Sequence, residues 1–96
     1  MVLGVAYKPG VADTRESPAL DVVRLLRENG AEVWEYDPHV YGSDDAEASE
    51  NAAAVDLVIV LTNHDEFDYA AILDEAPIVL DTRNVYPAGA DKVHKL

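Results

Sequence analysis

The chain of 96 residues contains no cysteine, which excludes a disulfide framework and any thiolate nucleophile. Its histidines, His39, His64 and His94, have neither i, i+4 spacing nor cysteine partners, so no metal set is read from them. No apolar run approaches the roughly 20 residues of a membrane span, and Met1-Val2-Leu3 is no signal peptide, so a cytoplasmic protein is expected. Basic residues are scarce: seven against nineteen acidic ones leave a net charge of −12, which repels nucleic acid and anionic membranes. Neither is expected as a partner. Two readings of the acidic excess stay open, an ordinary solvated surface and adaptation to high salt, where the Debye length falls to about 3 Å and self-repulsion is screened. Low lysine with much alanine, valine and aspartate leans toward the second. Neither G-x-G-x-x-G nor G-x-x-x-x-G-K-[ST] occurs, so a phosphate would be held by side-chain cations and a helix terminus instead of a glycine cradle.

What is present is organised around GVAYKPGVADTRESPAL, from Gly4 to Leu20. The continuous apolar start predicts a strand over residues 1–7 buried on both faces. Lys8 then stands at its carboxyl end, held extended by Pro9, and Gly10 lets the chain turn. Asp13, Thr14, Arg15 and Glu16 form a polar rim. Ser17-Pro18 is a strong helix start, with serine as cap, and Asn29-Gly30 is the stop. Further strands are expected at 31–36, ended by Asp37-Pro38, and at 57–61 and 77–81, with helices at 44–54 and 67–74. The tail from 85 to 96 is expected to be mobile at its end. Alternating strands and helices predict one α/β domain, a three-layer, doubly wound parallel sheet of four strands in the order 2-1-3-4. The switch point between its first and third strands brings Lys8, the 62–66 loop and Arg83 toward one crevice.

The opening run, with its lysine and D-x-R-E-S-P, resembles the start of the C-terminal, UDP-binding domain of the UDP-glucose/GDP-mannose dehydrogenase family. The likeness continues through Tyr36-Asp37-Pro38, AVDLVIVLT from Ala54 to Thr62 with Glu66-Phe67, and Asp81-Thr82-Arg83-Asn84. It implies a Rossmann-like fold and a place, over residues 1–96, as the nucleotide-sugar-binding part of a larger NAD-dependent UDP-sugar dehydrogenase. The parent is then expected to be a homo-oligomer whose missing N-terminal domain holds most of the NAD and whose catalytic cysteine lies upstream, leaving no catalytic residue here. By the same resemblance Lys8 and Arg83 contact the nucleotide sugar, and Arg15 faces the cofactor side of the cleft. Asn63-His64-Asp65-Glu66-Phe67 is more similar to the loop of UDP-N-acetylmannosamine dehydrogenases than to that of UDP-glucose enzymes.

Each candidate also has a plainer role. Lys8 is an ordinary surface lysine, Arg83 pairs with Asp81 or Asp13 at the rim, Arg15 pairs with Asp13, and Ser17 caps a helix. Two rival functions are a receiver-like signalling domain and a stand-alone binding or assembly module. The first needs an aspartate where Leu61-Thr62-Asn63 stands.

Overall fold

The computed structural model describes residues 1–42 and 45–96. Ser43 and Asp44, the expected end of one loop and start of the second helix, lie outside the described residues. The apolar runs pair as a parallel sheet in the order β2-β1-β3-β4-β5. Its strands are β1 (Val2–Leu3), β2 (Glu35–Tyr36), β3 (Val58–Val60), β4 (Val79–Asp81) and β5 (Val93–Lys95). The helices are α1 (Pro18–Glu28), α2 (Asp45–Asn51), which runs into a 3₁₀ turn at Ala52–Ala54, and α3 (Tyr69–Glu75).

Side-chain alternation along the strands sorts the core into two faces. Leu3, Val58, Val60 and Val79 pack with Ala48 of α2, Ala52, Phe67 and Ile72 of α3. Val2 points the other way, with Val5, against Ala19 and Val23 of α1. The three-layer, doubly wound fold and the order of the first four strands therefore match the sequence pattern. The tail does not: residues 93–95 add β5 beside β4, with Val79 opposite Val93 and Asp81 opposite Lys95.

The other correction concerns the first strand, which pairs only over two residues instead of running to Tyr7. At Gly4 the backbone turns into the left-handed region, with φ +87°. The Gly4 N–H still bonds the Tyr36 carbonyl at 2.8 Å, but the next residues are taken up by side chains instead of a neighbouring strand. Glycine is required twice over at this point. A Cβ would need a disfavoured φ and would lie 2.3 Å from the Thr62 carbonyl oxygen. Gly10, at φ +78°, has nothing within 4 Å of its virtual Cβ.

Gly4→Ala is accordingly expected to lower stability by about 3 kcal/mol or more, from overpacking added to backbone strain. Gly10→Ala carries the backbone strain alone and should cost about 1–2 kcal/mol. Urea denaturation of both variants checks the ordering, and equal losses would contradict the close approach at Thr62.

Candidate functional site

The segments leaving the carboxyl ends of β1, β2 and β3 are gathered by one side chain. Asp37 follows β2 directly and is fully buried. Its Oδ2 accepts from Val5 N at 2.8 Å, Ala6 N at 3.1 Å and His64 Nε2 at 2.9 Å. Its Oδ1 accepts from His39 N at 2.9 Å and Val40 N at 3.0 Å. Five donors thus saturate a carboxylate that water cannot reach. Burial by itself would push this carboxyl up, but the amides of Val5 and Val40, with His64, outweigh it and hold it below its ordinary range.

The same short stretch is fixed from its other side. Ser17 Oγ donates to Val5 O at 2.8 Å, and Thr62 Oγ1 donates to Ala6 O at 2.8 Å. Ser17 does occupy the N-cap position, as expected, but its hydroxyl goes to the Val5 carbonyl and makes no bond to a helix amide. Proline at the first helical position helps start α1 without it.

His64 extends the arrangement to the Lys8 loop. Its Nδ1 accepts the Gly10 N–H at 3.0 Å, so the opposite nitrogen carries the hydrogen that goes to Asp37. Both ring nitrogens are used and the side chain is fully buried. His64 therefore shapes loops instead of touching a ligand, and any bearing it has on substrate choice is indirect. His39 stacks on His64 with ring centroids 4.6 Å apart and sets its Nε2 against the Glu66 carboxylate. His39, His64 and Glu66 place three metal-capable atoms within 4.8 Å of one another. A cation there would have to displace either Gly10 or Asp37 from His64, and the arrangement works as a hydrogen-bonded clamp without one.

Each sequence-selected cation can now be located. Lys8 lies on the exposed excursion between β1 and α1, well past the carboxyl end of the strand, because the strand ends at Leu3. Its side chain makes no hydrogen bond or ion pair among the described residues. Arg15 is engaged with Asp13 through Nε at 3.1 Å and an Nη at 3.0 Å, and its backbone N–H bonds the same carboxylate. That guanidinium holds the Asp13 carboxyl down at about 2. Tyr7, Asp13, Arg15 and Glu16 line a hollow beside the loop.

Arg83 follows β4. The rim ion pair of the plainer reading is absent among the described residues: its guanidinium Nε donates to Leu61 O at 2.8 Å, and its backbone N–H bonds Asp81 at 3.0 Å. The cation on Asp81 is Lys95, at 3.3 Å. The segment after β3 anchors both neighbourhoods: Leu61 O accepts from Arg83, and the His64 ring holds Gly10 of the loop bearing Lys8. A second hollow, at the amino ends of the strands, is lined by Met1, Leu26, Trp34 and Leu57 with acidic Glu32 and Asp56. It has no lysine or arginine in its lining and does not suit a phosphate.

Comparison with known proteins establishes the family. The sequence profile described as UDP-glucose/GDP-mannose dehydrogenase family, UDP binding domain, matches residues 1–88. The chain belongs to that family. This UDP-binding domain is 38% identical over 94 residues to a UDP-N-acetyl-D-mannosamine dehydrogenase of Methanococcus maripaludis, covering 88% of this chain and 22% of the relative. It is 35% identical over 99 residues to a UDP-glucose 6-dehydrogenase of Rhizobium meliloti, covering 88% of this chain and 23% of that one. Among solved structures it resembles the UDP-N-acetyl-mannosamine dehydrogenase of S. aureus, with TM-score 0.74 and 35% identity over 98% of this chain and 24% of that chain. The UDP-binding domain therefore spans under a quarter of the length of these relatives. No described helix is long and apolar enough to cross a membrane.

Asp37 and Asp81 give the domain an acid-side stability profile. Both are held below the ordinary carboxylate range in the folded state, Asp81 because the amides of Tyr86, Val85 and Arg83 overcome its burial. The unfolded chain then binds protons first, so the contribution is fully present above about pH 4 and is lost as pH falls toward the folded values. Asp37→Asn is expected to cost about 3 kcal/mol or more at neutral pH by setting an amide against buried donors. It should also flatten the loss below pH 4, and urea midpoints across pH 2.5–7 that kept the original slope would contradict this role.

Proposed function

We propose that this chain is the nucleotide-sugar-binding domain of a larger NAD-dependent dehydrogenase. The parent oxidises a UDP-sugar, UDP-N-acetylmannosamine or UDP-glucose, to its uronic acid. The observation that carries the reading is a profile match across residues 1–88, and it is supported by the anchoring of Arg83 and of the Lys8 loop on the one segment after β3. Carboxyl ends of parallel strands are where such sheets take ligands. The diphosphate is the group these cations suit. Lys8 offers an uncommitted ammonium, and Arg83, braced through Nε, leaves its terminal nitrogens without a hydrogen bond among the described residues.

The residues of this chain do not by themselves fit NAD. There is no glycine cradle, and Arg15 is already doubly bonded to Asp13. In this reading Arg15, oriented by Asp13, contributes one contact at the domain edge, and the preceding domains of the parent bind the cofactor that accepts the hydride. The parent is cytoplasmic and homo-oligomeric, and its nucleophilic cysteine lies in those domains. The 96 residues alone bind and position without turnover.

UDP titrated into the full-length protein by calorimetry tests the site. A charge-assisted bond contributes about 1.5–3 kcal/mol, so Lys8→Ala and Arg83→Ala should each weaken binding by roughly 10- to 100-fold. Lys92, whose Nζ lies 3.3 Å from the Asp74 carbonyl just before β5, serves as the control. Lys92→Ala should change the affinity by less than about twofold, and a loss equal to the other two would make the attraction diffuse charge.

A further inference from the structure

The residues that hold Arg83 in place lie partly beyond the stretch that defines the family. The matched residues end at 88, whereas β5 begins at Val93. Parallel pairing sets Lys95 of β5 directly opposite Asp81 of β4. Asp81 is buried and accepts three backbone N–H groups from the turn that follows it: Arg83 at 3.0 Å, Val85 at 3.2 Å and Tyr86 at 3.0 Å. The Lys95 ammonium closes this turn from outside, reaching Asp81 Oδ2 at 3.3 Å, Asn84 Oδ1 at 2.5 Å and the Tyr86 carbonyl. Asn84 sits at φ +59°, a backbone conformation unfavourable for most residues, and Lys95 holds its side chain.

We propose that Lys95 is a positioning residue for Arg83, so that the edge strand β5 completes the nucleotide-sugar site. This rests on the function proposed above. Three amides and one ammonium together neutralise a buried carboxylate, and removing the ammonium leaves the turn Thr82–Arg83–Asn84 with one wall missing. The guanidinium of Arg83 is tied to the Leu61 carbonyl by a single bond, at 2.8 Å, so the pose of its terminal nitrogens depends on where that turn holds its backbone. Lys95 need not touch the ligand. It sets the geometry of a group that does.

A thermodynamic cycle separates this role from general stabilisation or general charge. UDP affinity is measured by calorimetry in the full-length protein for the wild type, Arg83→Ala, Lys8→Ala, Lys95→Met and the two double variants carrying Lys95→Met. Coupled residues show interaction energies that correspond to roughly 2- to 150-fold in affinity. Lys95→Met should weaken binding by that factor in the wild type and in Lys8→Ala, but by less than about twofold once Arg83 is already alanine. Equal weakening in all three backgrounds, or none in the wild type, overturns the proposal. Lys95→Gln, which keeps a donor for the Tyr86 carbonyl without the charge, should show the same background dependence and decides the matter if the methionine variant does not fold. No UDP binding by the wild type, or no effect of Arg83→Ala, overturns the function reading itself and this inference with it. A loss at Arg83 without one at Lys95 overturns only the inference.

Discussion

Burying the Asp37 carboxylate costs several kcal/mol in lost hydration unless the protein replaces the water, and here the replacement comes from three separate parts of the chain. Val5 and Ala6 supply amides from the segment after β1, His39 and Val40 from the segment after β2, and His64 a ring N–H from the segment after β3. Those segments cannot drift apart without exposing an unpaired charge or orphaning its donors. The carboxyl end of the sheet is therefore held by hydrogen bonds where strand pairing has stopped. The strands themselves contribute little at that end, since β1 and β2 each pair over two residues.

Asp81 repeats the device on the other half of the sheet. It too stands at the carboxyl end of a strand, is buried, and collects the amides of the turn that follows. Between the two carboxylates runs the segment after β3, which gives its Leu61 carbonyl to Arg83 and the His64 ring to both Gly10 and Asp37. Acidic groups thus organise the backbone of a site for which an anionic ligand is proposed. Their charge is spent on inward-facing amides, while Lys8 and Arg83 remain exposed. In the function proposed above, this division lets a domain of net charge −12 offer a local cationic end to a diphosphate.

Apolar runs such as Leu57 to Leu61 made β3 and the parallel order legible in sequence, because burial on both faces leaves an uninterrupted pattern. The helix start at Ser17-Pro18 was equally plain. What pattern could not show was the end of β1, since Val5 and Ala6 are as apolar and as buried as Val2 and Leu3. Their N–H groups bond a side chain 31 or more residues away. Nor could it pair Asp37 with His64, which are 27 residues apart, or turn Asp37-Pro38 from a strand stop into an organiser of loops. The signal that could have found it was a short acid directly after a strand, opposite a glycine. β5 was missed because a three-residue edge strand of mixed polarity, Val93-His94-Lys95, carries no periodicity long enough to see. Lys8 and Arg83 were picked out through family likeness; composition alone would have left them as surface charges.

The clamp depends on His64 acting as acceptor toward Gly10 and donor toward Asp37, for only that assignment joins the lysine loop to the buried carboxylate. Long-range nitrogen–proton NMR correlation of the histidine rings at neutral pH reads it directly. The prediction is a neutral His64 ring protonated at Nε2, with that proton slow to exchange and Nδ1 bearing a lone pair. A ring protonated at Nδ1, or at both nitrogens, would contradict the clamp.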